Sequence, residues 1–336
     1  MAKHSKRVAS CALAVIFSLL SALCAGAYDG TLIPGGSTVG IRMELGGVMV
    51  SGFSDVETEN GSVSPSRQAG VMEGDIIFAV NGEEVGSSAE FLARAAEMDG
   101  AAVTLSVRRD GSETDISVTP AENESGKMQL GLWLRDSIAG IGTLTYYDPE
   151  TSAFGALGHG VSEIDTGRLV PVDNGAVSGA EIVDVVRGER GTPGELCGSV
   201  AEERFGTIVS NTDAGIFGYL DGSRAGKALS VADESEVRLG EAAILSNVSG
   251  TDVRQYSVEI TRLYHDPDDC RGIMLTVTDP ELLALTGGIV QGMSGSPIIQ
   301  DGKLVGAVTH VLVNDPTRGY GIYLEKMLDY SGGTLS

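Results

Sequence analysis

The chain is 336 residues long and sets 46 acidic side chains against 23 basic ones, for a formal net charge of −23. Nucleic acid is excluded as a partner, because binding it depends on cationic patches that neutralise phosphates, and direct adhesion to anionic lipid head groups is disfavoured for the same reason. With 42% hydrophobic residues, there is apolar material for the cores of two domains.

The first seven residues carry Lys3, Lys6 and Arg7 and no acid, and Val8 to Ala27 are almost wholly apolar or small, ending in Ala25-Gly26-Ala27. A positive n-region, an apolar h-region and an A-x-A-like end make residues 1–27 an export signal. The apolar run also matches the roughly 20 residues that span a bilayer, so an uncleaved membrane anchor stands beside a cleaved signal peptide. Leu23 before Cys24 is larger than the small residue a lipidation site wants. Loss of the leader leaves Cys197 and Cys270, and whether they bond is open from sequence. No Cys/His cluster has zinc spacing, and His265-Asp266-Pro267-Asp268-Asp269-Cys270 reads as a solvated acidic loop.

Residues 28–39 form an N-terminal segment, and residues 40–121 read as a small α+β domain. Val48–Phe53 is a strand, and Ser64-Pro65-Ser66 to Gly70 is a turn entering a short helix. Gly74–Val80 is a strand closed by an Asn81-Gly82 turn. Ser88 to Met98 has helical spacing of Phe91, Leu92 and Ala95, with Ser87 or Ser88 as N-cap. Val103, Leu105 and Val107 alternate as a strand before the turn Arg109-Asp110-Gly111.

The polar stretch Glu122 to Lys127 is a linker. Residues 128–336 then show short apolar runs bounded by glycine, such as Gly131–Leu134, Ile141–Tyr146, Ile182–Val186 and Ala242–Leu245, with little helical periodicity. That pattern predicts a mainly β domain, a barrel or a sandwich.

Two stretches carry chemistry. Gly292-Met293-Ser294-Gly295-Ser296-Pro297 is a Gly-flanked serine on a tight turn, followed by an apolar strand, an Asp301-Gly302 hairpin and a second strand. Glycine lets the chain bend closely enough to aim backbone N–H groups at a carbonyl under attack, so Ser294 is the candidate nucleophile and the N–H groups of Gly292 and Ser294 the candidate oxyanion hole. Gly155-Ala156-Leu157-Gly158-His159-Gly160 sets a histidine between two glycines after an apolar run. His159 is the candidate base, since imidazole titrates near neutral pH. There is no phosphate loop, no HExxH and no dinucleotide fingerprint, so no cofactor and no metal are expected.

The order His then Ser, with G-x-S-G-x-P at the nucleophile, resembles trypsin-like serine peptidases. Together with Ile33-Pro34-Gly35-Gly36, the Gly155–Gly160 run, Gly288–Pro297 and Thr309-His310-Val311, the chain after the leader resembles the SpoIVB peptidases of endospore-forming bacteria. Residues 40–121 are similar to the PDZ domains attached to bacterial peptidases. The resemblance implies a PDZ domain followed by a trypsin-like double β-barrel, with His159 on the first barrel and Ser294 on the second. It implies Asp279 as the residue orienting His159, with Asp165, Asp173 and Asp213 as open substitutes. His310 would line the cleft or serve the strand. A PDZ fold binds an extended peptide as an added strand and captures its terminal carboxylate on backbone N–H groups. Val39-Gly40-Ile41 would be that carboxylate loop, with Phe91 or Leu92 lining the side-chain pocket.

By resemblance, the chain would be an exported serine endopeptidase acting in the space between the two membranes around the developing spore. It would cut itself and the regulatory partner of a membrane-embedded metalloprotease, which then processes a sigma factor precursor. Two rivals stand beside this reading: a non-catalytic PDZ adaptor that binds peptide tails, and a quality-control peptidase of the HtrA kind.

Overall fold

The computed structural model describes residues 30–163, 167–265 and 270–331. The leader, Asp165 and residues 266–269 lie outside the described residues.

The strand β1 (Thr31–Pro34) leads into β2 (Thr38–Phe53), which is 16 residues long. A small unit follows: β3 (Val56–Thr58), β4 (Gly61–Val63), the short helix α1 (Pro65–Gln68), β5 (Ile76–Val80), β6 (Glu83–Glu84), helix α2 (Ser88–Ala96), β7 (Val103–Arg109), β8 (Ser112–Val118), β9 (Ala121–Glu122) and β10 (Met128–Gln129). Next come β11 (Leu132–Tyr147), β12 (Ala153–Ala156), β13 (Asn174–Val186), β14 (Glu195–Thr212) and β15 (Gly215–Leu220). After β16 (Leu229–Ser230) the chain forms β17 (Gly240–Ser246), β18 (Arg254–Leu263), β19 (Ile273–Val277), helix α3 (Pro280–Thr286), β20 (Pro297–Gln300), β21 (Lys303–Leu312), β22 (Asp315–Tyr323) and helix α4 (Leu324–Tyr330).

Two barrels result, as the trypsin-like resemblance implies. Around the first, β2 pairs with β11, β11 with β12, β12 with β15, β15 with β14, β14 with β13, and β13 returns to β2. The second closes through β17, β18, β19, β22, β21 and β20. Period-2 patterning is what closes it. Along β18, Tyr256, Val258 and Ile260 point inward while Gln255, Ser257 and Glu259 stay outside, and the inward set meets Ile244, Leu275, Ile298 and Tyr323 in one apolar core.

The small unit is inserted between the first two strands of the first barrel. Its core joins Val50, Ile77, Phe91, Leu105 and Val107, so the strand alternation and the Phe91 face of α2 are as the sequence predicts. Ser87 caps α2 by accepting the Glu90 N–H at 3.2 Å. Three hairpins turn on Asn81-Gly82, Asp110-Gly111 and Asp301-Gly302 with positive φ at both residues, the geometry that matches strand twist.

The domain boundary expected at residue 40 is corrected. Thr38–Glu44 belongs to the first barrel, hydrogen-bonded to β11 on one edge and, from Val39 onward, to β13 on the other, and only Val48–Phe53 turns into the small unit. Val39-Gly40-Ile41 is therefore not a carboxylate loop. Its backbone is already paired with Gly140, Ile141 and Gly142 on one side and Val177, Ser178 and Gly179 on the other. Gly40 is explained by packing, since a Cβ there would lie 2.2 Å from Val200 Cγ1. No disulfide joins Cys197 to Cys270.

Within the small unit, the fully buried Asp75 carboxylate accepts from Arg109 Nε and Nη2, each at 2.6 Å, and from the Met72 N–H at 2.8 Å. Removing the guanidinium leaves a buried carboxylate with its charge unpaired, a change that costs several kcal/mol. Arg109→Ala is expected to destabilise this unit by about 3 kcal/mol, read as a lower urea midpoint at unchanged slope.

Candidate active site

Two backbone turns, one from each barrel, build the site. The nucleophile turn enters from the 288–291 segment and ends where β20 begins. Met293 is fully buried in the second barrel's core and anchors the turn, while Met293 N–H bonds to Val290 O and Ser296 N–H to Met293 O. Gly292 and Gly295 both take φ of +96°. At Gly295 a Cβ would lie 2.0 Å from the Thr143 carbonyl oxygen and 2.5 Å from Leu157 N, so only glycine lets the turn sit this close to the other barrel. The N–H groups of Gly292 and Ser294 donate to no acceptor among the described residues, which is what an oxyanion hole requires.

The histidine turn leaves β12 at Ala156. Leu157 and Gly158 have φ of +72° and +69°. Left-handed backbone at a leucine costs on the order of 1–3 kcal/mol and persists where the surroundings enforce it. Here burial of the side chain in the first barrel's core and a 3.2 Å bond from Leu157 N–H to Thr143 O hold it. The consequence is that His159 emerges from the barrel end. Its Nδ1 lies 2.9 Å from the Gly160 carbonyl. A carbonyl only accepts, so Nδ1 carries the proton and Nε2 keeps its lone pair. Burial disfavours the imidazolium and lowers the His159 pKa, and the Gly160 bond opposes this only in part.

His159 and Ser294 line one cleft of about 380 Å³. Ile41, Met43, Ile138, Ile141, Leu157 and Val161 supply its apolar walls, and His159 is its single ionisable lining residue among the described residues. The Ser294 hydroxyl donates to Thr309 O at 2.8 Å rather than to His159, so it must rotate before His159 can take its proton. The two catalytic candidates thus share a cleft without yet sharing a hydrogen bond. His310, the neighbour of Thr309 on β21, places its ring centroid 5.1 Å from that of His159. It lies beside the candidate base.

The expectation for Asp279 is not met. It is the N-cap of α3: Oδ1 accepts from Glu281 N–H and Leu282 N–H, and Oδ2 from Ser257 N–H. Those bonds tie it to the outer end of the second barrel, and the Gly160 carbonyl holds the His159 ring instead. Of the open substitutes, Asp173 hydrogen-bonds through its N–H to Glu44. Asp213 stands in the turn before β15, and its carbonyl accepts from Gly160 N–H at 3.2 Å and from Cys270 Sγ–H at 3.1 Å. Between these two described candidates, it is Asp213 whose backbone touches the histidine turn.

A second groove, of about 600 Å³, runs between α2 and the start of β11. Phe91 and Leu92 line it, Phe91 buried and Leu92 exposed. Leu130, Gly131 and Leu132 line it, where the resemblance implied Val39-Gly40-Ile41. Over Leu132–Arg135 the strand pairs with β2 on one edge only. Sequence reading missed this loop, although Gly131 between two leucines at the domain junction was its visible trace.

The sequence profile of the SpoIVB peptidase S55 family matches residues 126–328, and that of the Tricorn protease PDZ domain matches residues 53–123. The serine protease HTRA1 of Xenopus tropicalis is 39% identical over 61 residues, which cover 18% of this chain and 13% of that protein, so the match spans about an eighth of the relative's length. Among solved structures, the active form of the Rv3671c protease of M. tuberculosis is 17% identical, with 58% of this chain and 75% of that one covered and a TM-score of 0.37. The HtrA-type protease AlgW with a decapeptide is 11% identical, with 61% and 54% covered and a TM-score of 0.36. Because the profile match takes in more than half of the sequence and includes both His159 and Ser294, the chain belongs to the SpoIVB peptidase S55 family.

Proposed function

We propose that the chain is an exported serine endopeptidase that cuts a small number of sites in signalling proteins, itself included. The observation that carries this reading is the cleft in which Ser294, on a turn with two open N–H groups, stands with a proton-accepting His159 Nε2. In the reaction, the Ser294 hydroxyl turns from Thr309 O towards His159. Oγ attacks the scissile carbonyl as His159 takes the proton, and the N–H groups of Gly292 and Ser294 receive the oxyanion. Collapse expels the amine, which leaves with the proton from His159, and water then repeats the sequence on the acyl-enzyme.

Family membership supports a role in sporulation, with a membrane-associated regulatory partner as substrate. The leader supports export into the space between the two membranes around the spore. The groove between α2 and β11 supports capture of a peptide tail by strand addition along Leu132–Arg135. The apolar cleft walls support substrates with an apolar side chain beside the scissile bond, because a charged one would lose its water there without a partner.

Residues 28–336, treated with a fluorophosphonate probe, are expected to label and to cut a partner peptide, whereas Ser294→Ala and His159→Ala lose labelling and at least about 10³-fold in kcat/KM. Partner processing that survives in Ser294→Ala would establish the adaptor reading instead. The acid limb of the kcat/KM profile, which reports the free base, should lie below the ordinary imidazole value of 6.5: burial lowers the His159 pKa, so the ring stays neutral into mildly acidic solution and activity falls only as pH drops through that lowered value. In a peptide library, residues flanking the cut should be apolar, and Ile138→Asp should cut the rate on those peptides by about 10-fold.

A further inference from the structure

We infer that Thr143 is a positioning residue for the reaction, one that sets the nucleophile turn and the histidine turn in register. This rests on the peptidase reading above. Thr143 lies on β11 and is fully buried. Its hydroxyl donates to Gly292 O at 2.8 Å, its N–H donates to Ser294 O at 2.9 Å, and its carbonyl accepts from Leu157 N–H at 3.2 Å. Two of these bonds grip the nucleophile turn at either end, one peptide after each candidate oxyanion donor. The third grips the residue whose left-handed backbone aims His159.

The side-chain bond has a specific consequence. The Gly292 carbonyl and the Met293 N–H share one peptide plane, so fixing that carbonyl limits rotation about the Gly292 Cα, across which the Gly292 N–H lies in the plane of the Gln291 carbonyl. Glycine at 292 otherwise leaves the plane free to rotate. The upstream side is held too: Gln291 N–H bonds to Gly194 O, and Leu196 N–H bonds to Gln291 O. Gly292 therefore sits between a backbone clamp from β14 and its preceding loop and a hydroxyl clamp from β11. The hydroxyl is the only one of these four contacts on the turn that a side-chain substitution can remove. A threonine supplies it where valine, of nearly the same shape, would leave the Gly292 carbonyl buried against a methyl group.

The test uses the full chain purified in detergent, with Thr143→Val, Thr143→Ser and Thr143→Ala. A fluorophosphonate titration counts competent sites, and kcat and KM on a cleavable peptide are expressed per titrated site. Thr143→Val should lose about 10- to 100-fold in kcat per site, short of the roughly 10²- to 10³-fold loss of a whole oxyanion donor, with KM within about threefold. Thr143→Ser, which keeps the hydroxyl, should recover to within about threefold of wild type. The acid limb of the pH profile should stay in place, because Thr143 does not touch the imidazole. If Thr143→Val does not fold, Thr143→Ala against Thr143→Ser is read in the same way. Loss of titratable sites with unchanged kcat per site, or equal losses in the Val and Ser variants, would overturn the inference and make Thr143 a structural residue only. A wild type that neither labels nor cleaves would overturn the peptidase reading itself, and this inference with it.

Discussion

The close approach of two backbone turns across the barrel interface is the constraint on which the rest depends. Gly295 must pass within contact of Thr143 O and Leu157 N, and no side chain fits there. Once the turns are that close, the Thr143 backbone bonds both of them, and the strained φ at Leu157 becomes tolerable because its N–H and side chain are both satisfied. A serine and a histidine 135 positions apart in sequence are thereby brought to one cleft. The imidazole needs no buried carboxylate to choose its tautomer, since the neighbouring Gly160 carbonyl already does so.

The strand that makes this approach possible also serves the inserted domain. β11 begins as one wall of the groove beside α2, crosses at Ile138–Ile141 as a wall of the cleft, and reaches Thr143 at the Ser294 turn. β2 accompanies it along most of that length, so a two-stranded ribbon joins the groove beside α2 and the cleft. Insertion at this point explains why the expected partition into consecutive domains fails. The first barrel borrows Thr38–Glu44 from before the inserted domain and the second half of β11 from after it.

Much of this was legible in the linear chain. The alternation of Val103, Leu105 and Val107, the Ser87 cap and the Asx-Gly turns are local features, determined by side-chain period and backbone φ, and the structure has them where the sequence puts them. Glycines around Ser294 and His159 mark two turns with positive φ, at Gly292 and Gly295 in one and Gly158 in the other. The misreadings share a cause. Asp279-Pro280 looks the same whether the aspartate orients a histidine or caps a helix, and Val39-Gly40-Ile41 looks the same as a binding loop or as a strand packed under Val200. Each choice depends on what lies opposite in space.

The sequence by itself pointed to the two kinds of fold and to Ser294 and His159 as candidate nucleophile and base, because these follow from periodicity and from glycine at tight turns. Only the tertiary structure decided which groups hold them: the Gly160 carbonyl on His159, the Thr309 carbonyl on Ser294, Thr143 between the two turns, and Leu130-Gly131-Leu132 lining the groove. The physical reason is that most of these are backbone carbonyls or N–H groups, which every residue carries and no sequence pattern marks. Their role is set by the register in which two barrels meet.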